Sequence, residues 1–200
     1  MYPALTTILE PPARARRARE QNRYFERDAI PVISRRGRRL SVRPVAPGDA
    51  PSLAALLAGL SERSMQLRFF RPLKDVSTIW REAARVANGS PLHQAALLAT
   101  TVEGGEERAV AIAELVHDSV DRTAAEFALL VHDDYQREGV GRMLCELLVH
   151  VAMLRGIQTL RATMLAENLA IRKLVRDLGL PYRATAHWGE ITATIALPRS

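Results

Sequence analysis

Cysteine, lysine and long apolar runs are all scarce in this sequence. The single cysteine, Cys145, excludes an internal disulfide framework and a multi-cysteine metal site. The five histidines are scattered without metal-ligand spacing, so we expect no metal site. The longest apolar candidate, residues 50–60, is interrupted by Ser52 and falls well short of the roughly 20 residues that span a membrane. With no signal peptide at its start, the chain is expected to be cytoplasmic and to bind no membrane.

Positive charge is concentrated at the start of the chain. Of the 28 basic residues, ten lie in residues 1–40 beside four of the 22 acidic ones, so residues 41–200 carry 18 of each. Residues 1–38 show weak apolar periodicity and cannot offset an ordering entropy of about 1–2 kcal/mol per residue. We therefore predict a basic flexible arm over residues 1–38, in which 22–28 resemble a short helix and Ile30–Ile33 an edge strand. The arm is either a solvated tail or a docking segment for nucleic acid or an acidic partner.

From residue 40 the apolar pattern alternates between strand and helix periods. Asp49, Ser61 and Ser77 are predicted to open three successive helices, because short polar side chains cap helix N-termini. The predicted order is strand 40–45, helix 50–60, a helix opening at Ser61, helix 79–87, strands 94–102, 109–117 and 124–131, helix 139–155, strand 158–165, helix 169–178, and strands 181–186 and 190–197. This order predicts one α/β domain over residues 39–200, parallel where helices return the chain and antiparallel elsewhere.

The segment 129–144 runs from an apolar strand through a polar turn and two glycines into an apolar helix. Helix N-terminal amides have no internal partners and carry the positive end of the helix dipole, so this geometry suits a phosphate. Glycine at positions 139 and 141 is expected to leave room for that anion. The segment lacks the Gly-Lys-Ser/Thr ending of nucleoside-triphosphate loops, and its spacing does not fit the dinucleotide fingerprint.

Gln136, Gly139 and Gly141 match the Gln/Arg-x-x-Gly-x-Gly/Ala motif of the GNAT family of N-acetyltransferases, which this sequence resembles over roughly residues 40–197. The resemblance implies a mixed, mostly antiparallel sheet of about seven strands with helices on both faces, splayed between the family's strands 4 and 5. It also implies acetyl-CoA as cosubstrate, with its pantetheine arm along the strand and its pyrophosphate at the glycine turn. The implied cofactor-binding residues are Leu129, Val131, Gln136, Arg137, Glu138, Gly139, Val140, Gly141, Arg142 and Asn168. Asn168 has an alternative interpretation as the N-cap of the following helix.

Amine acetylation needs a general base, because a lysine with a pKa of ~10.4 is protonated at neutral pH. Glu126 is the odd residue in the apolar strand 124–131, and we expect it to be buried opposite Phe127 and Leu129. A solvent-facing glutamate is the alternative interpretation, and Glu114 is the competing base. The sequence around residues 125–136 resembles the Pat-type protein lysine acetyltransferases, in which a glutamate at the place of Glu126 is the general base.

The leaving thiolate lacks its usual proton donor, because Val175 stands where many family members have a tyrosine. Tyr135 and Tyr182 are candidate substitutes, and water is a third. The resulting hypothesis is an acetyl-CoA-dependent N-acetyltransferase that acts on a protein lysine or a small amine. The competing hypothesis is a non-catalytic acyl-CoA sensor or nucleic-acid-associated module that uses the arginine arm.

Overall fold

The computed structural model describes residues 29–71, 73 and 75–198. They form one eight-stranded sheet with strand order β1-β2-β3-β4-β5-β6-β8-β7. The strands are β1 (Ile30–Ile33), β2 (Arg39–Pro44), β3 (Gln94–Glu103), β4 (Glu106–His117), β5 (Ala124–Val131), β6 (Thr159–Leu165), β7 (Tyr182–His187) and β8 (Glu190–Ala196). The helices are α1 (Ala50–Ala58), α2 (Glu62–Phe69), α3 (Val76–Ala87), α4 (Val140–Leu154) and α5 (Leu169–Asp177). The predicted α/β class and element order are confirmed.

Strand pairing follows the connections between the strands. Strands that follow each other in the chain and are joined by a short turn or loop pair antiparallel. Among the strands of the described residues, the one parallel pair is β5 with β6, between which α4 carries the chain back across the sheet. A parallel pair requires such a crossover, because a short turn can only reverse the strand direction.

Helices cover both faces of the sheet, as predicted. Alternate residues of the central strands face opposite ways, so Leu97 packs with the α4 side and Leu98 with the α1 and α3 side. On the α4 side, Leu144 and Leu148 are fully buried. Burial of one such leucine contributes about 1.5–3 kcal/mol, so the two apolar faces hold the sheet between its helices.

The sheet begins at Ile30, inside the stretch that the sequence analysis assigned to the arm. Ile30–Ile33 pairs antiparallel with β2, from Ile30 opposite Val42 to Ile33 opposite Arg39. The predicted edge strand is therefore confirmed, and it brings the described strands to eight rather than about seven. The predicted helix over 22–28, and any arm contacts with nucleic acid or an acidic partner made by residues 1–28, lie outside the described residues.

Helix capping matches the sequence at one of two serine positions. Ser61 caps α2, where its side chain accepts a hydrogen bond from the Ser64 amide. The cap of α3 is Asp75 rather than Ser77, and α3 begins at Val76. Hydrogen bonds from Ser77 and Thr78 lower the pKa of the Asp75 carboxyl to about 2. Asp75 accepts hydrogen bonds from the Thr78 amide and from the hydroxyls of Ser77 and Thr78, so Ser77 lies inside the first turn and Asp75 forms the cap.

Membrane-spanning helices and metal-ligand clusters are both absent from the described residues. None of the helices in the described part of the chain has the length and apolar composition that crossing a bilayer requires. Within the same residues, no three His, Cys, Asp or Glu side chains converge as metal ligands do.

Candidate active site

The sheet opens between β5 and β6, where the sequence predicted a splay. The two strands pair only through Ala124, Ala125 and Glu126, which lie opposite residues 159–161. Both strands continue beyond this point, β5 to Val131 and β6 to Leu165, without pairing with each other. An unpaired strand edge offers main-chain groups to an extended ligand. The divergence therefore provides the slot that the family resemblance implied.

A cleft of about 380 Å³ occupies this opening. Strands β4, β5 and β6 line one side of it, and α2, α3 and the start of α5 line the others. Its charged lining consists of three carboxylates and three guanidinium groups, on Glu82, Glu114, Glu126, Arg68, Arg85 and Arg161. The cleft thus combines a balanced set of charges with an open strand edge.

Glu126 lies at the point where β5 and β6 separate. Its neighbour Phe127 is buried in the core on the α4 side, so Glu126 points the opposite way, as the alternation predicted. Glu126 is nevertheless exposed, and the expectation of a buried carboxylate is wrong. The register partner on β6, Arg161, donates to Asp118 at 2.5 Å. Glu126 therefore faces the cleft as an accessible carboxylate.

Glu114, the competing base candidate, is buried and fully engaged. It is 4% exposed, and Arg85 donates to its two carboxylate oxygens at 2.7 and 2.9 Å. Arg68 lies 3.8 Å from the same carboxylate, and burial lowers the pKa of Arg68. Hydrogen bonds to Glu82 and Glu114 raise the pKa of Arg85. Because both oxygens of Glu114 are held by a guanidinium, it acts as a structural anchor for α3.

The glycine loop, residues 136–142, leads from β5 into α4. The backbone turns left-handed at Arg137 (φ 60°) and again at Gly139 (φ 88°), which is the N-cap residue of α4. Gly139 has no side chain with which to cap this helix, and no acidic residue lies in its first turn. Among the described residues, no side chain accepts from its first amides, which is the arrangement that binds a phosphate.

The two glycines of the loop have reasons other than the predicted clearance for phosphate. A Cβ at Gly141 would lie 3.1 Å from Leu129 Cδ2 and 3.4 Å from Val131 Cγ2, so this glycine lets α4 approach β5. Gly139 has the positive φ that other residues adopt only with strain. A Cβ there would point at the Arg35 side chain, 3.3 Å from Nε.

Gln136 connects the glycine loop to α2. Its side-chain amide donates to Ser64 Oγ at 3.0 Å and to the Val131 carbonyl at 3.1 Å. Asp133 accepts from Ser64 Oγ and from both the amide and the hydroxyl of Ser61. Burial raises the pKa of Asp133, but these hydrogen bonds outweigh it and lower the value. The side chain of Gln136, predicted to bind cofactor, thus holds the loop against the wall of the cleft.

The other predicted loop residues divide between surface and interior. Arg137 and Arg142 are exposed, and Arg142 pairs with Glu146 one turn along α4. Val140 and Glu138 are buried, which leaves only their main chain available to a ligand of the loop. The loop therefore offers a ligand its amides and two arginines.

Asn168 both caps a helix and lines the cleft. Its side-chain oxygen accepts from the Ile171 amide at 3.2 Å, which confirms the N-cap interpretation. The residue is also part of the cleft lining, beside Met164 and Ile171. Its amide nitrogen makes no hydrogen bond to the described residues, which leaves a donor for a ligand.

Neither candidate tyrosine reaches the cleft. The hydroxyl of Tyr135 donates to Glu103 at 2.6 Å, away from the opening between β5 and β6. Tyr182 lines a separate cleft that also contains the buried Val175. Substitution of the missing tyrosine by either residue is not supported by their positions.

Sequence reasoning missed the guanidinium groups of the cleft and one link across it. The pairing of Arg68 and Arg85 with Glu114 depends on where α2 and α3 lie relative to β4, which no local pattern indicates. Arg63 of α2 pairs with Glu167, next to Asn168, at 2.6 Å. These residues are 104 positions apart, so no sequence spacing could have indicated the contact.

Comparison with known proteins gives consistent results. Residues 39–181 match the family model described as an acetyltransferase (GNAT) domain. The acetyltransferase Pat of Mycolicibacterium smegmatis is 30% identical over 150 residues, 75% of this chain and 44% of that protein. The ribosomal protein bS18-alanine N-acetyltransferase of Escherichia coli is 34% identical over 105 residues, 49% of this chain and 68% of that protein. The chain thus spans less than half the length of the Pat relative.

A solved structure agrees with these sequence matches. The GNAT domain of S. lividans PAT superposes with a TM-score of 0.72 and 26% identity, covering 84% of this chain and 97% of that domain. The match includes the eight-stranded, mostly antiparallel sheet and its helices. The chain therefore belongs to the GNAT acetyltransferase family, whose members are acyltransferases.

Proposed function

We propose that this chain is an acetyl-CoA-dependent N-acetyltransferase whose acceptor is a protein lysine. The observation that carries the proposal is the divergence of β5 and β6 with Glu126 at its apex. At that point an extended cofactor on the strand edge and an amine in the cleft meet beside a carboxylate. Membership of the family and the likeness to Pat support the same activity.

The cofactor-binding groups are main chain at one end and side chain at the other. The free edge of β5 near Leu129 and Val131 would hold the pantetheine arm, and the amides of residues 137–142 would hold the pyrophosphate. The amide of Asn168 faces the same cleft from the opposite wall. When bound, acetyl-CoA supplies the acetyl group as a thioester.

Glu126 is proposed to accept the proton of the attacking amine. The amine must lose a proton to expose its lone pair, and at neutral pH the ammonium form dominates. Glu126 is accessible from the cleft, and no arginine among the described residues forms an ion pair with it. Its carboxylate can therefore take that proton, directly or through one water. Entry of the acceptor excludes water from the cleft and strengthens the attraction between carboxylate and ammonium.

Protonation of the departing CoA thiolate is left to solvent. Val175 has no proton to give, and the two candidate tyrosines lie elsewhere. A thiol with a pKa near 8.5 leaves as a thiolate without strong assistance. Loss of the tyrosine is therefore compatible with turnover.

The choice of a lysine acceptor rests on the extent of the two similarities. The Pat relative matches three quarters of this chain, including α2 and α3, which form the acceptor side of the cleft. The alanine N-acetyltransferase matches about half of it. An α-amine or a small polyamine remains the alternative acceptor.

The test is a donor and acceptor panel with the purified full chain. The chain and acetyl-CoA would be incubated separately with three acceptors, and the products identified by mass spectrometry. The first is a lysine peptide with a blocked N-terminus. The second is the same peptide with arginine in place of lysine and a free N-terminal alanine, and the third is spermidine. The proposal predicts a gain of one acetyl group on the lysine peptide in particular. Acetylation only of the alanine peptide or of spermidine would contradict the lysine assignment, and no acetylation of any acceptor would contradict the activity.

A further inference from the structure

The turn between β1 and β2, residues 34–38, packs against the glycine loop. The Arg35 amide donates to the Glu138 carbonyl at 2.8 Å. Ser34 Oγ donates to the Glu138 carboxylate at 2.7 Å. Main chain and side chain together therefore fix this hairpin turn beside the N-terminus of α4, although 104 residues separate Ser34 from Glu138.

Glu138 is the anchor of this contact. Its side chain has no exposed area, and Arg38 and Arg36 approach its Oε1 atom at 3.5 and 3.8 Å. A buried carboxylate needs such partners, because an unpaired charge in the interior is strongly unfavourable. Arg36 and Arg38 therefore lie close enough to Glu138 to offset its charge, although the Arg36 side chain is 70% exposed.

Arg35 is directed differently. Its Nε, Cγ and Cδ atoms lie 3.3 to 3.5 Å from the position of a Cβ on Gly139, so the side chain runs along the N-cap of α4. Arg35 is exposed and forms no ion pair with any residue of the described ranges. Because position 139 is glycine, there is room beside it for the Cγ, Cδ and Nε atoms of Arg35.

The electrostatics at this end of α4 are unbalanced. The helix N-terminus carries about half a positive charge, so a cation beside it is disfavoured. Two carboxylates at this end are already matched, since Glu146 pairs with Arg142 and Glu138 lies beside Arg36 and Arg38. Arg35 and Arg137 also lie there without a carboxylate partner among the described residues, and the first turn contains no acidic residue. A multiply charged anion would reverse this repulsion and would satisfy the uncapped amides at the same time.

We propose that Arg35 is a phosphate ligand for the CoA thioester, supplied by the β1–β2 hairpin from outside the glycine loop. The proposal rests on the function proposed above and adds a determinant of donor choice. The Arg35 guanidinium contacts a phosphate group of CoA, either the 3′-phosphate or the pyrophosphate. The chain then prefers CoA thioesters over pantetheine thioesters that lack these phosphates.

The experiment is isothermal titration of the full chain, unaltered and as Arg35→Gln. The ligands are acetyl-CoA, 3′-dephospho-acetyl-CoA and acetyl-pantetheine. Arg39→Gln is the matched control, because Arg39 is an exposed arginine on the same hairpin that the structure does not place at Gly139. Thermal melts of both variants check that the fold is retained.

Arg35→Gln is expected to weaken acetyl-CoA binding by about tenfold, because it removes a charge-assisted hydrogen bond to the phosphate. Binding of acetyl-pantetheine is expected to be unchanged, and Arg39→Gln should bind as the unaltered chain does. If the loss disappears with the 3′-dephospho ligand, the contact is to the 3′-phosphate. If the loss persists there, the contact is to the pyrophosphate.

Three results would overturn the proposal. The first is that Arg35→Gln binds acetyl-CoA as tightly as the unaltered chain does. The second is that Arg35→Gln loses as much affinity for acetyl-pantetheine as for acetyl-CoA. The third is that Arg39→Gln loses as much affinity for acetyl-CoA as Arg35→Gln does. A failure of the unaltered chain to bind acetyl-CoA is a different result, because it overturns the proposed function together with this subsite.

Discussion

Two carboxylates of the same cleft have opposite surroundings. Glu114, on β4, is buried and accepts two hydrogen bonds from Arg85, with Arg68 close by. Glu126, on the neighbouring strand β5, faces the same side of the sheet but is exposed at the edge where β6 departs. The difference shows that two carboxylates on one face of the sheet can differ completely in how their oxygens are held. A group whose oxygens are both held stabilises the fold, whereas an accessible one can exchange a proton.

Replacement of the accessible carboxylate should have the largest effect on catalysis. We expect Glu126→Gln to lower kcat by about 100-fold at pH 7.5, because general-base assistance contributes roughly 10²–10⁴-fold. Acetyl-CoA affinity and thermal stability should be unchanged, since Glu126 is exposed. Steady-state kinetics, titration and melting measure the three quantities. Glu106→Gln, an exposed glutamate on β4 outside the cleft, is the matched control.

Replacement of the buried carboxylate should affect stability instead. Glu114→Gln removes the carboxylate that Arg68 and Arg85 share and leaves Arg85 paired with Glu82 alone, so it should reduce the free energy of unfolding by about 2 kcal/mol. The loss stays below the 3–5 kcal/mol of a fully buried pair because the Arg85 side chain is 44% exposed. Chemical denaturation measures the change. A variant as stable as the unaltered chain would show that Glu114 does not anchor α3.

The ion pair between the two walls of the cleft should have a smaller effect. Arg63 and Glu167 are both more than half exposed, and such pairs contribute about 0.2–1 kcal/mol. We expect Arg63→Gln to change the acceptor KM by at most about fivefold and to leave kcat nearly constant. Raised ionic strength should produce the same change in the unaltered chain but not in the variant. A salt response that persists in Arg63→Gln would assign it to other charges.

Cys145 is a third ionisable group to compare, and it is buried without an ion-pair partner in the described chain. Burial raises the pKa of its thiol to about 12, so the thiol is neutral at physiological pH. The pKa of the thiol is higher in the folded chain than in the unfolded chain, where it is about 8.5. The neutral, buried thiol therefore contributes its full stabilisation below about pH 8.5, and this stabilisation is lost as the pH rises toward 12. Thiol-reagent labelling at pH 8 should be slow in the native chain and fast in denaturant. Rapid native labelling would contradict the buried thiol.

The sequence predicted the order of strands and helices well, because local signals determine most of these elements. Strand, glycine turn and helix are contiguous in residues 124–154, and the strand Ala124–Val131 has the predicted bounds. The charged wall of the cleft and the packing of the β1–β2 turn against the glycine loop depend instead on contacts between distant segments, Arg85 with Glu114 and Ser34 with Glu138. Alternation correctly gave the direction of Glu126, but its exposure follows from the divergence of β6, which no local pattern encodes.

The most direct test of the account is the pH dependence of kcat/KM for a lysine peptide in the unaltered chain and in Glu126→Gln. Without the carboxylate, the rate should rise about tenfold per pH unit from pH 7 to 9, because it follows the fraction of free amine with its pKa of ~10.4. The unaltered chain should change much less over that range, so the two profiles converge at high pH. Parallel profiles separated by a constant factor would contradict the role of Glu126 as the proton acceptor.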